Sequence, residues 1–146
     1  MGLVQAEVTL INANDLGDFR RGQIKEHEIR QTTVMALVDS GAWTMVISEA
    51  IREKLGLEVV GSDYATLADG NDYPCKLAGP LEVKWKDRRV LLEALVLPSG
   101  YDALLGAIPL EAMDLIIDPR GEELIGAHGD RVVHILFQIQ KSKLVA

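Results

Sequence analysis

The residues best placed for chemistry lie at the end of an apolar run, positions 36–42, which read Ala-Leu-Val-Asp-Ser-Gly-Ala. The run predicts a buried strand that delivers one carboxylate, Asp39, into a tight Ser-Gly turn. Burying an unpaired acid near a core is costly, so an acid at such a position often has a chemical role as a general base or acid. The same pattern also fits an aspartate that only satisfies the backbone amides of a turn, and locally the two interpretations are about even.

Other catalytic machinery is scarce in the chain. It has no Gly-x-Ser-x-Gly elbow, no phosphate-binding Gly-Lys-Ser/Thr loop and no Cys-x-x-Cys pair. A metal site built from His128, Asp130 and His134 is conceivable, but exposed histidines are the commoner outcome, so we expect no metal and no cofactor. Cys75 is expected to be a small buried residue. Asp-Ser-Gly also marks the acid of subtilisin-type serine proteases, but the histidine and serine segments of those enzymes are missing.

Composition limits the class of protein. The 146 residues, 48% of them hydrophobic, suit one domain with a real core. The net charge of −7 argues against nucleic acid as a partner. No stretch approaches the roughly 20 apolar residues that span a membrane, and the N-terminus shows no secretory signal. With a single cysteine, which cannot form an internal disulfide, these features predict a soluble cytoplasmic protein.

The elements that must position Asp39 are mostly strands. Alternating or β-branched apolar residues predict strands at Gln5–Ile11, Arg30–Val38, Leu81–Trp85, Arg88–Leu97, Leu115–Ile117 and Val132–Ile139. Turns are predicted at positions 12–15, 68–72 and 118–121. Two short helices are expected. One spans positions 48–56, with Ser48 as its cap and Gly56 as its stop, and the other begins at Pro109 and runs to Met113.

Two segments together carry a family resemblance. Val-Asp-Ser-Gly-Ala at positions 38–42 resembles the Asp-Thr/Ser-Gly-Ala signature of retropepsin-like aspartic proteases. Leu-Leu-Gly-Ala at 104–107 resembles the second signature of that family, and a hairpin between them has its tip where the family carries a flap. Leu-Gly-Leu at 55–57 and Leu-Ala-Asp-Gly at 67–70 add a likeness to the small prokaryotic members. The resemblance covers roughly residues 3–126.

The resemblance implies a fold and an activity. The fold would be all-β, mainly strands with two short helices, forming a closed acid-protease barrel with one lobe per subunit. Residues 1–126 would form the protease domain, and 127–146 a C-terminal extension that is either an added strand or a flexible tail. The activity would be that of an aspartic endopeptidase on peptides or proteins. Because the chain has one Asp-Ser-Gly, two subunits of a homodimer would each give Asp39 to a shared dyad.

The resemblance also implies roles for individual residues. Asp39, Ser40 and Gly41 would form the catalytic turn, with the Ser40 hydroxyl bracing the two turns across the dimer axis. The substrate-binding set would be Ala42, the flap-tip residues Ala68, Asp69 and Gly70, and Leu105 and Gly106, of which the last two would pack behind the catalytic turn. Without the resemblance, Asp69-Gly70 indicates a plain hairpin turn, and its flap role rests on the resemblance alone. Trp43 is expected to be a packing residue. The alternative function is a dimerisation or peptide-binding module with weak or no proteolysis.

Overall fold

We analysed a computed structural model, which describes residues 3–137 and 140–143. Strands dominate it, as the sequence predicts. In chain order the strands are β1 Gln5–Asn12, β2 Gln31–Val38, β3 Val46–Ser48, β4 Glu58–Thr66, β5 Asp72–Trp85, β6 Arg88–Leu97, β7 Leu104–Leu105, β8 Leu115–Asp118 and β9 Glu123–Gly126. The helices are α1 Ala13–Arg20, α2 Glu49–Leu55 and α3 Ala107–Ala112, and a short 3₁₀ turn covers Glu26–Glu28.

Seven strands form one sheet that curls into a ring. Its order is β1-β2-β7-β3-β6-β5-β4, and β1 also pairs with β5, which closes the ring and leaves β4 outside it. The expectation of an acid-protease-like all-β fold is confirmed, in the form of this ring-like sheet. Strands β8 and β9 form a separate two-stranded sheet.

The core fills the inside of the ring. Alternate residues of β1 point inward, so Ala6, Val8 and Leu10 are buried while Glu7 is exposed. They pack in one cluster with inward residues of other strands, including Ile47 and Leu105. Burial of this apolar surface is the main force that holds the sheet closed.

Helix α2 has the ends that its sequence predicts. The Ile51 backbone N–H donates to the Ser48 hydroxyl, and Gly56 ends the helix in the left-handed conformation (φ 62°) that glycine adopts without strain. Arg52 and Lys76 both pair with Glu49, so the helix is tied to β5. The Arg52 guanidinium is the main reason that the pKa of Glu49 falls to about 2.

The prediction of a turn at positions 12–15 is wrong, and so is the count of two helices. Asn12 does not close a turn but caps a third helix, α1, because its side-chain oxygen accepts the Asp15 backbone N–H at 3.0 Å. Its amide nitrogen donates to the Leu55 carbonyl at 2.8 Å, which anchors the start of α1 to the end of α2. This tertiary bond has no signal in the local sequence.

A carboxylate within helix α1 ties the helix to the residue just before β2. The nearly buried Asp15 accepts from the backbone N–H, Nε and Nη2 of Arg30 at 3.0, 2.8 and 2.9 Å. These bonds, chiefly the side-chain pair, lower the pKa of Asp15 below its ordinary value. The carboxylate therefore stabilises the fold in its charged form.

Asp15→Asn should destabilise the protein by about 1–2 kcal/mol at neutral pH. Because the folded pKa of Asp15 is lowered, its contribution is complete above the unfolded value of about 3.9 and is lost as pH falls through the folded value. The gap between the unfolding free energies of wild type and variant should thus narrow as the pH falls below the unfolded value. Urea unfolding at several pH values measures it. Glu26→Gln removes an exposed acid without a described partner, so it should change the free energy of unfolding little. A difference between wild type and Asp15→Asn that persists unchanged in acid would contradict a stabilising role for the charged Asp15.

The chain after β7 departs from the prediction in two places. Helix α3 begins at Ala107, two residues before the predicted start, with Pro109 in its first turn. Val132–Ile139 is not a strand where it is described, since residues 132–137 pair with no strand and are mostly exposed, while 138 and 139 lie outside the described residues. The division of the chain at residue 126 stays a prediction.

A buried arginine joins the residues around β8 and β9 to the ring. Arg88 donates through Nη1 to the carbonyls of Met113 and Asp114, both at 2.9 Å, and through Nη2 to the carbonyl of Gly129. Asp114 accepts from the Val133 backbone N–H at 3.0 Å and pairs with His128. Residues just past β9 are therefore fastened to the body of the protein.

None of the helices in the described part of the chain has the length and apolar character needed to cross a bilayer.

Candidate active site

Asp39 lies at the point where β2 leaves the sheet. Strand β2 pairs in parallel with β7, with Val38 opposite Leu105. The Asp39 backbone N–H donates to the Leu105 carbonyl at 3.0 Å, and the Val38 N–H donates to the Val4 carbonyl at 2.8 Å. The backbone of Asp39 is thus fixed by the sheet, while its side chain points out of it and is exposed.

The Asp-Ser-Gly turn closes on its own carboxylate. The Gly41 N–H donates to Asp39 Oδ1 at 2.9 Å, and the Ala42 N–H donates to the Asp39 carbonyl at 3.1 Å. Among the residues that the structure describes, Asp39 Oδ2 and the Ser40 hydroxyl have no hydrogen-bond partner. One carboxylate oxygen is therefore held in place by the turn, and the other is open to solvent.

Leu105 and Gly106 support this turn from behind. Leu105 is fully buried. After Gly106 the chain crosses the turn, where Ala107 N–H donates to the Ala42 carbonyl at 2.8 Å and Ile108 N–H to the Trp43 carbonyl at 2.9 Å. A Cβ on Gly106 would clash with the carbonyl oxygens of Ala42, at 2.6 Å, and Thr44. Only glycine permits this approach of the two segments.

The turn opens into a cleft of about 670 Å³. Asp39, Gly41 and Ala42 line one side of it, and β4 residues from Asp63 onward line the other. The floor is apolar and comes mainly from β5, β6 and β7, with Leu77, Leu92, Leu95, Leu97 and Leu104. Such a mixture of apolar walls and few polar groups is typical of binding sites.

The hairpin of β4 and β5 stands over this cleft. Its tip, residues 67–71, is closed by the Leu67 N–H to the Asn71 carbonyl at 3.1 Å, with Gly70 at φ 81°. Asp69 accepts from the Asn71 N–H at 2.9 Å and from the Tyr73 hydroxyl. Ala68, Asp69 and Gly70 are exposed and do not line the cleft in this conformation, whereas positions 63–67 do. A substrate contact at the tip stays a prediction.

Tyr73→Phe should raise the pKa of Asp69 towards its ordinary value. The Tyr73 hydroxyl donates to the charged form of Asp69 and is the main cause of its lowered pKa, so the bond weakens as pH falls through that lowered value. Carbon NMR titration of the side-chain carboxyl measures the change. Tyr64→Phe, on the same hairpin, should leave the pKa of Asp69 unchanged. An unchanged pKa of Asp69 in Tyr73→Phe would contradict the hydrogen bond from the Tyr73 hydroxyl.

The expectation that Trp43 is a packing residue is wrong. Its side chain is 73% exposed and lines the cleft, as does that of Tyr64, which is 75% exposed. Trp43 comes two residues after the Asp-Ser-Gly turn, so the only sequence signal was its place beside Ala42. Tyr64 had no such signal, because the pairing of β4 with β5 decides which of its residues face the cleft.

Two other expectations concern single residues. Cys75 is buried and unpaired, against Val46 and Leu97, as expected. His128 pairs with Asp114 through Nδ1 at 2.7 Å, and within residues 3–137 and 140–143 no three His, Cys, Asp or Glu side chains are grouped to hold a metal ion.

A ring-like β-sheet with an Asp-Ser-Gly turn at the end of an inner strand, facing a β-hairpin, defines an acid-protease-like domain. A family model described as aspartyl protease matches residues 26–107, more than half of the chain, and spans both signature segments. The chain belongs to this aspartyl protease family, which is part of the retropepsin-like clan. Among curated proteins, none matches the sequence.

Proposed function

We propose that the protein is an aspartic endopeptidase that works as a homodimer, with Asp39 of each subunit forming the catalytic dyad. The observation that carries the proposal is the open Oδ2 of Asp39 at the wall of the cleft. Oδ1 is bound by the Gly41 N–H, so the carboxylate is oriented but not neutralised by a described cation.

The chemistry follows from two such carboxylates that share one proton around a water molecule. The charged carboxylate takes a proton from the water, whose oxygen attacks the carbonyl carbon of the peptide bond. The protonated carboxyl donates to the carbonyl oxygen, which gives a tetrahedral intermediate. The carboxyl that took the water proton then gives it to the amide nitrogen, while the other carboxylate takes a proton from one hydroxyl of the intermediate, so the C–N bond breaks and the acid and amine products leave.

A dimer is required because the chain holds one Asp-Ser-Gly, and one carboxylate cannot supply both roles at once. The exposed Ser40 hydroxyl, which has no described partner, is available to bond across a two-fold axis. The dyad would thus be isologous, with each turn meeting its own copy.

The substrate would bind as an extended peptide between the catalytic turn and β4. Ala42 and Gly41 leave room for its backbone, and the apolar floor would receive alternate side chains. Ala68, Asp69 and Gly70 would meet the peptide when the hairpin closes. The proposed location is the cytoplasm, where a single unpaired cysteine such as Cys75 stays reduced.

Subunit mixing tests the shared dyad. Wild type is equilibrated with a roughly nine-fold excess of Asp39→Asn protein, and cleavage of an unfolded protein is followed. If each active site needs Asp39 from both chains, activity should fall about ten-fold, because few wild-type chains still meet each other. Activity that does not fall, although subunit exchange is verified, would contradict sharing.

Sedimentation gives the second arm of this test. A strict monomer that cleaves peptides would exclude the shared dyad. A wild-type dimer with no cleavage at any pH from acid to neutral would instead favour the dimerisation or peptide-binding module.

A further inference from the structure

The charged residues of the cleft have one sign. Among the described residues that line it, Asp39, Asp63 and Glu93 carry charge, and none is Lys, Arg or His. Asp39 is assigned to the dyad. The other two acids have no part in the proposed reaction, so their position calls for a separate explanation.

The register of the sheet places both acids on the face that forms the cleft. Asp63 of β4 lies opposite Cys75, and Leu77, two residues further along β5, lies opposite Leu95 of β6. Alternate residues of a strand share a face, so Asp63, Leu77, Leu95 and Glu93 project to the same side. The two acids therefore flank the apolar floor.

The acids serve different parts of the cleft. By register, Asp63 is level with Leu97 of β6, four residues from Glu93 along that strand. At about 3.3 Å per residue this is roughly 13 Å along the strand direction, too far for one side chain to meet both. They would act on two separate residues of a bound peptide.

Neither acid is neutralised. In residues 3–137 and 140–143, no ion pair involves Asp63 or Glu93, although Asp15, Asp18, Glu49, Glu82 and Asp114 all have partners. Both side chains are exposed at the rim of the apolar floor. An extended peptide there would place its side chains against carboxylates that still lack a counter-charge.

We propose that Asp63 and Glu93 make the cleft select peptides with Lys or Arg beside apolar residues, and disfavour those with Asp or Glu. This inference rests on the proposed peptidase function and adds its substrate class. The aliphatic stem of Lys or Arg can lie on the leucine floor while its charged end reaches the rim carboxylate. An acidic side chain at the same place would be repelled by the rim carboxylate.

Peptide-library digestion, with products sequenced by mass spectrometry, tests the preference. For wild type we expect Lys and Arg to be enriched about three- to five-fold near the cleaved bond, the effect of one exposed ion pair. Asp63→Asn and Glu93→Gln should each remove the enrichment at one position, and the double variant at both. Asp87→Asn, which makes the same charge change at the β5–β6 turn outside the cleft, should keep the wild-type profile.

Salt gives an independent readout. Raising the ionic strength from about 0.1 M to 1 M shortens the screening length from about 10 Å to 3 Å, so the basic preference should shrink while an apolar preference persists. Wild-type cleavage without basic enrichment, or enrichment that survives in the double variant, would overturn this inference and leave the peptidase standing. Absence of any cleavage would overturn both.

Discussion

Asp39→Asn should abolish peptide cleavage while the protein stays folded. Loss of the group that moves protons should lower kcat/KM by about 10³-fold or more. The fold should persist because the asparagine side-chain oxygen can still accept the Gly41 N–H, the bond that Asp39 Oδ1 accepts at 2.9 Å. Cleavage of an unfolded protein measures activity, and a urea midpoint measures stability.

This substitution separates the two interpretations of the Asp-Ser-Gly turn. If Asp39 only satisfied backbone amides, asparagine would serve as well, and the variant would resemble wild type in every assay. Asp87→Asn controls for loss of one negative charge elsewhere. Full activity in Asp39→Asn would remove the aspartic mechanism, whatever the oligomeric state.

Gly106→Ala should destabilise the protein by about 3 kcal/mol and lower activity with it. The backbone of Gly106 (φ −90°, ψ −171°) is extended and suits any residue, so the cost comes only from the clash of the new Cβ with the carbonyls of Ala42 and Thr44. Relief of that clash must push the segment after Gly106 away from the Asp-Ser-Gly turn. The bonds from Ala107 and Ile108 would then stretch.

Urea unfolding, with the midpoint and slope fitted together, measures the loss. Gly61→Ala is the matched control, since its Cβ would meet only Leu77 Cδ1 at 3.9 Å, an ordinary contact. Its free energy of unfolding should change by less than about 0.5 kcal/mol. A Gly106→Ala protein with the wild-type midpoint would show that the two segments are free to separate.

The sequence was a good guide wherever one segment decides its own structure. The alternation of β1 and the capped ends of α2 were predictable because each depends on neighbouring residues. Asn12 was misjudged because both a turn and a helix begin with such a residue, and a distant carbonyl, that of Leu55, favours the helix. Val132–Ile139 was misjudged because its apolar residues have a strand-like pattern but pair with no strand where they are described.

The same distinction, between features set by neighbouring residues and features set by distant strands, applies to the candidate site. The turn at Asp39, Gly41 and Ala42 could be located because a short signature carries it. Leu105 and Gly106 lie behind that turn and do not line the cleft, and the roles of all five residues stay predictions. The walls of the cleft could not be predicted, since Asp63, Tyr64 and Glu93 enter it only through the register of β4, β5 and β6. Pairing between distant strands leaves little trace in a single sequence.

The parallel pairing of β2 with β7 has a consequence for biosynthesis. The bond from Asp39 N–H to the Leu105 carbonyl joins segments that leave the ribosome at quite different times. Contacts of such high sequence separation form late, because loop closure must precede them. A partly made chain therefore has the aspartate and its local turn, but not the bond that fixes the Asp39 backbone to β7. The proposed peptidase activity would therefore arise only after synthesis has passed β7, and this delay would protect the nascent chain and its neighbours from premature cleavage.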